Sequence, residues 1–140
     1  MYKVSRKVFS PHPVATLYSV VNDTNAYRDF VPFCTESRVL EDRGSDKDCL
    51  LVFSKGPVSS RLITRNGLVE NQTISVALVE GDFESLKGLW RFEEVDGGTW
   101  VSLDFEYQFS HRIVQYTFGQ IFRPLSYELV QTFCQRADEI

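Results

Sequence analysis

The chain has little of the chemistry that most enzymes display. Its two histidines, His12 and His111, lie near opposite ends beside turn residues, with no HxxxH or HExxH spacing, so no metal site is expected. The three cysteines, Cys34, Cys49 and Cys134, are odd in number and widely spaced, with no CxxC pair. That argues against a disulfide framework and a zinc ribbon, and fits a reducing cytoplasm. No G-x-S-x-G elbow, Walker loop or G-x-G-x-x-G run occurs, which leaves serine hydrolase, nucleotide and dinucleotide readings without support. No apolar run approaches the length of a membrane span, and no signal-like or basic amphipathic presequence opens the chain. An excess of positive charge is also missing. Fifteen Lys and Arg against nineteen Asp and Glu leave a net charge of −4, so phosphate is not attracted globally and DNA is not an expected partner. Acidic residues gather at Glu80, Asp82 and Glu84 and at Glu93, Glu94 and Asp96, but both clusters fall at strand ends, where a solvated turn accounts for them. No catalytic residue is expected.

Aromatic rings are what the chain does have: 11 Phe, 6 Tyr and 2 Trp. Such rings fill a core efficiently, and they also wall a site for a flat or isoprenoid ligand. At 140 residues the chain is expected to be one domain, spanning 1–140. A chain of this length buries roughly 68–70% of its unfolded surface.

Residues 2–9 alternate as a first strand, closed by Pro11 and Pro13, with Pro13 suited to the first position of a helix. Val14, Leu17, Tyr18 and Val21 then share one helical face. Asp23 or Thr24 is placed to cap a second short helix through Tyr27 and Phe30, which Pro32 ends. From Thr35 the period becomes two, giving strands near 35–41, 48–55, 58–69, 72–80, 86–95 and 100–109. Gly56-Pro57 and Asp96-Gly97-Gly98 mark hairpin turns. Residues 112–139 carry a broad apolar face at helical spacing, and Pro124 inside it is expected to kink or split the helix. The order predicts an α+β helix-grip fold: a curved antiparallel sheet around a long C-terminal helix, with two short helices after the first strand.

Alternation directs Leu51, Phe53, Leu62, Thr64, Ile74, Val76, Leu78, Leu86, Trp90, Phe105 and Tyr107 toward the helix. Phe30, Val31, Pro32 and Phe33, with Phe118, Phe122 and Leu125, would form the lid side of a space between them. Each of these residues would serve equally in a solid core. Gly88, on the same strand face as Trp90, leaves room there for a cavity. Tyr107 is the main titratable group on these faces, suited to hydrogen bonding a ligand oxygen rather than to proton abstraction. Arg61 and Arg65 alternate with Leu62 and Thr64 and so point outward, as candidates for contact with rRNA phosphates or anionic headgroups, with Lys3, Arg6 and Lys7 of the first strand as further basic residues.

The run Val21-Asn22-Asp23, Tyr27, Phe30-Val31-Pro32, Cys34 and Ser37-Arg38-Val39-Leu40 resembles the coenzyme-Q-binding protein and ribosome-association-toxin family, a branch of the START-like superfamily of polyketide cyclases, dehydrases and lipid transporters. The resemblance continues through Thr64-Arg65-Asn66, Leu78-Val79-Glu80-Gly81, Trp90-Arg91-Phe92, Phe105-Glu106-Tyr107-Gln108-Phe109 and Phe118-Gly119-Gln120-Ile121-Phe122. It implies a START-like grip that binds ubiquinone or a similar isoprenoid lipid without catalysis, supporting respiratory electron transport and needing no cofactor beyond that ligand. It implies two alternatives as well: a toxin that binds the large ribosomal subunit and blocks subunit joining, and a cyclase-like enzyme in the same cavity. A cytoplasmic protein, peripheral at the inner membrane through transient surface contact, is the matching location.

Overall fold

The computed structural model describes residues 1–140. The first alternating stretch forms β1 (Tyr2–Ser10), and its partner is the last strand, β7 (Gly98–Phe109), with Val4 opposite Phe105 and Val8 opposite Val101. Between them run β2 (Cys34–Asp42), β3 (Asp46–Lys55), β4 (Val58–Val69), β5 (Thr73–Glu80) and β6 (Phe83–Val95). All pairs are antiparallel, in the order β1-β7-β6-β5-β4-β3-β2. At the β6–β7 hairpin Gly97 takes φ +85°, a conformation costly for any residue with a Cβ. β6 starts at Phe83, three residues earlier than the alternation suggested, because a register shift between Phe83 and Ser85 hides the period.

Helix α1 (Val14–Asn22) starts one residue after Pro13, whose carbonyl accepts from the Thr16 and Leu17 amides. Pro13 is thus the flanking residue rather than the first helical one. A 3-10 turn (Thr24–Ala26) and the four-residue α2 (Tyr27–Phe30) follow. Neither Asp23 nor Thr24 caps α2, since the Thr24 hydroxyl turns instead to the Cys49 sulfur at 3.4 Å. Pro32 ends α2 by holding the preceding Val31 extended, at φ −78° and ψ 122°.

The C-terminal helix is interrupted, but not at Pro124. α3 (Arg112–Tyr116) is separated at Thr117 from α4 (Phe118–Glu139), which runs through the proline. The Thr117 hydroxyl donates to the Ile113 carbonyl at 2.7 Å, closing α3 and turning the chain. Pro124 is tolerated because it lies on the exposed side of α4. The backbone acceptor it leaves free belongs to Gln120, also exposed, where water can take its place. α4 lies across the sheet against β1, β7 and β4 and touches α1, and 26 buried hydrophobic residues form one cluster between these layers. The expected helix-grip layout is the one observed.

A small apolar cavity with one polar pair

Between α4 and the sheet lies a cavity of about 80 Å³, and thirteen of its fifteen lining residues are hydrophobic. β3 and β4 supply Leu51, Phe53, Leu62 and Thr64 to it. From β5, β6 and β7 come Ile74, Val76, Leu86, Trp90 and Phe105, and from the helical side Val31 and Phe122. Most of the residues that the sequence directs inward or onto the lid therefore meet at one place.

Seven others lie elsewhere. Phe30 packs edge-on against Phe133 at 5.2 Å and under the Arg136 guanidinium at 4.9 Å, at the half-buried rim of the core rather than on the cavity wall. Pro32 is exposed, and Phe33 is 41% exposed with φ +65°, its ring 5.2 Å from the Lys55 ammonium. Leu78 is half-buried at the edge of the core cluster. Phe118 packs against Phe53, Phe83 and Phe109 in a ring cluster that fills one end of the grip. Leu125 is a buried member of the core cluster. Tyr107 faces inward as expected, but α4 lies directly on it: its hydroxyl sits 3.0 Å from that of Ser126, and the residue is 1% exposed. It is a sealed core tyrosine whose burial raises its pKa, not a group presented to a ligand.

Gly88 also has a different role from the one read in the sequence. A Cβ there would meet Phe105 Cδ2 at 2.6 Å. The missing side chain lets the Phe105 ring lie against the strand, so its room is already occupied.

Four lining residues escaped the sequence-derived site: Tyr27, Asn66, Leu129 and Phe133. Leu129 and Phe133 continue the helical spacing from Phe122, and Asn66 continues the β4 alternation from Leu62 and Thr64, so the periodicity did contain them. An amide is simply not sought on an apolar face. No carboxylate, histidine, lysine or arginine lines the cavity. Its one phenol, Tyr27, donates a short hydrogen bond to the Val21 carbonyl, and burial pushes its pKa upward. The cysteines stay thiols: burial moves Cys34 and Cys134 each to about 11 and raises Cys49.

Arg61 and Arg65 point outward, but neither is free. Arg65 Nε reaches Asp48 Oδ1 at 2.8 Å, directly across the β3–β4 register, and Arg43 holds the same carboxylate at 2.7 Å. These guanidinium bonds keep the Asp48 carboxyl well below the usual carboxylate range. Arg61 lies 3.6 Å from Glu80. Lys3 and Arg6 pair with no carboxylate, and Lys7 lies over the Trp100 ring at 4.9 Å. No helix is long and apolar enough to cross a membrane.

The sequence pattern of the polyketide cyclase/dehydrase and lipid transport family matches residues 10–134. Among characterised proteins, the chain is 33% identical to the persistence and stress-resistance toxin PasT of Escherichia coli O6:H1 and to the ribosome association toxin RatA of Escherichia coli K12, across 100% of this chain and 89% of each relative. Identity to the mitochondrial coenzyme Q-binding protein of Dictyostelium discoideum is 26%, covering 92% of this chain and 65% of that one. In structure it is similar to a protein of Thermus thermophilus (TM-score 0.81, 19% identity, 99% and 95% of the two chains). It is also similar to the Zhui aromatase/cyclase of a Streptomyces species (TM-score 0.78, 15% identity, 98% and 93%). At those identities the likeness is one of fold. The family match, extending over most of the chain, is what assigns it: this chain belongs to the polyketide cyclase/dehydrase and lipid transport family.

Proposed function

We propose that the chain binds a neutral, largely apolar lipid, ubiquinone or a similar isoprenoid compound, in the grip cavity and releases it unchanged. The observation that carries this reading is the composition of the cavity wall. It is apolar, it bears no charge, and its only titratable side chain is a phenol already committed to a backbone carbonyl. Acid–base turnover needs a group of matched pKa at reacting distance, and this wall offers none. The coenzyme Q-binding relative supports the same class of ligand.

The cavity as it stands is too small for a whole ligand. About 80 Å³ exceeds one water but is roughly half of the ~150 Å³ that accommodates a benzene molecule. Uptake therefore requires the wall to open. Trp90 reports the event, because it lines the cavity while the other tryptophan, Trp100, packs on the surface with Phe9 and Lys7. In a Trp100→Phe background, titration with a short-chain ubiquinone analogue is expected to quench Trp90 fluorescence saturably, with the analogue recovered chemically unchanged. No saturable quenching, or recovery of a converted product, contradicts the reading.

A second reading is favoured by the 33% identity to ribosome association toxins over the full chain. In it, the outer face binds the large ribosomal subunit. Since Arg61 and Arg65 each face a carboxylate, the exposed cations of edge strand β1, Lys3 and Lys7 on its outer side and Arg6 on its helix side, none of them paired with a carboxylate, are the better candidates for phosphate contact. Reversing these three to Glu is expected to abolish co-sedimentation with large subunits, while reversing Arg61 and Arg65 has the smaller effect. Co-sedimentation that survives the triple reversal would remove β1 from any such interface.

A further inference from the structure

The cavity wall has one break in its apolar surface. Thr64 and Asn66 sit two apart on β4, both facing inward, 3% and 8% exposed. The Thr64 hydroxyl donates to Asn66 Oδ1 at 2.9 Å, which fixes the plane of the amide. The amide nitrogen then has only the Cys49 sulfur, at 3.8 Å, a long contact to a weak acceptor that Thr24 also engages. An amide nitrogen carries two hydrogens, so one is left with no protein acceptor. Turning the amide over does not help. Its nitrogen would then donate to Thr64 and its oxygen would face Cys49, and one N–H would still be unmatched. Tyr27, the other polar group on the wall, donates to the Val21 carbonyl and makes no hydrogen bond with the amide. A nine-tenths buried amide with a spare donor in an apolar wall is a group prepared for a partner that the chain does not contain.

Resting on the lipid-binding reading above, we propose that Asn66 selects the ligand by donating one hydrogen bond to a neutral acceptor oxygen, a ketone, quinone or ether oxygen, on an otherwise apolar molecule. Thr64 is the positioning residue that holds the amide ready for it. Charged headgroups are disfavoured, because a carboxylate or phosphate would be buried among Ile74, Val76 and Trp90 with no counter-charge. A pure hydrocarbon is disfavoured less strongly, since it only leaves the donor unmet. The selected class is therefore a neutral amphiphile with an oxygen on its buried portion.

Isothermal titration calorimetry with two probes tests this: a benzoquinone bearing a decyl chain, and a benzene ring bearing the same chain. The parent protein is expected to bind the quinone about tenfold more tightly, the worth of one neutral hydrogen bond. Asn66→Leu should bind the two probes equally while keeping the parent's affinity for the benzene compound, which also shows that the variant is folded. Thr64→Val, which retains the amide but frees its orientation, should lower the preference about threefold, and it decides the matter if Asn66→Leu does not fold. A preference unchanged in whichever variants fold overturns the role of Asn66 while leaving lipid binding intact. Binding of neither probe by the parent overturns the lipid reading itself, and this inference with it.

Discussion

Replacing Trp90 by alanine is expected to destabilise the protein by about 3–5 kcal/mol, the range for deleting a large aromatic from a packed core. The indole is 5% exposed, meets the Phe133 ring edge-on at 5.2 Å and lies parallel to Phe92 at 6.5 Å. On β6 it faces Ile74 of β5 and Leu103 of β7, both 1% exposed, so neither cross-strand partner has slack to fill the space. The removed volume should add to the existing cavity of about 80 Å³ and make it large enough for a benzene-sized guest. Urea unfolding with and without benzene measures both effects: a lower midpoint, and partial recovery when benzene is present. A loss below about 1 kcal/mol would mean that the indole is not packed as described.

Gly88→Ala should act on the ligand more than on the fold. Its new Cβ would overlap the Phe105 ring, at 2.6 Å from Cδ2 and 3.2 Å from Cε2. The obstacle is a side chain, so the strand can stay in place while the ring moves away from β6 into the cavity it borders. Overpacking of this kind costs roughly 1–3 kcal/mol. A cavity of about 80 Å³ has no room to absorb the displaced ring and admit a ligand as well. Quenching of Trp90 by the quinone analogue should fall at least tenfold in apparent affinity, a loss of about 1.4 kcal/mol of binding. Binding at parental affinity would show that Phe105 yields in another direction and does not gate the site.

The sheet was legible from the sequence because its turns are chemically marked and its faces alternate cleanly. Val101, Leu103, Phe105, Tyr107 and Phe109 are all buried, as their spacing of two requires. Alternation specifies which way a side chain faces, but not what lies above it. Tyr107 and Phe105 share a face, yet Ser126 of α4 seals the first while the second borders the cavity. Phe30 does not reach the wall for a similar reason: α2 lays it edge-on against Phe133, and it is Phe133 that lines the cavity. The arginines show the same limit. That Arg65 points outward follows from period two, whereas its pairing with Asp48 depends on the β3–β4 register, which no local pattern specifies. The interruption at Thr117 went unseen because a proline is the louder signal. Pro124 fell on the solvent side of α4, where its missing donor matters least, while a threonine hydroxyl turned back on Ile113 ended the preceding helix.

Asp48 offers a check on the outer-face electrostatics that does not depend on any ligand. Its pKa is depressed by Arg65 and Arg43, so it contributes stability above the unfolded-state pKa near 3.9 and loses that contribution as pH falls toward the lower folded value. Asp48→Asn should therefore flatten the acid limb of the stability curve below about pH 4. A limb that keeps its slope would place the acid sensitivity in other carboxylates.

The most direct measurement of lipid binding is mass spectrometry of an organic extract of the protein, purified under mild conditions from its own cells or after incubation with total lipid. A neutral, oxygen-bearing lipid is expected at up to one equivalent per chain in the parent, and depleted in Gly88→Ala purified alongside. Extracts that contain only bulk phospholipid, in equal amounts from the two proteins, would contradict a lipid-binding role for the grip cavity.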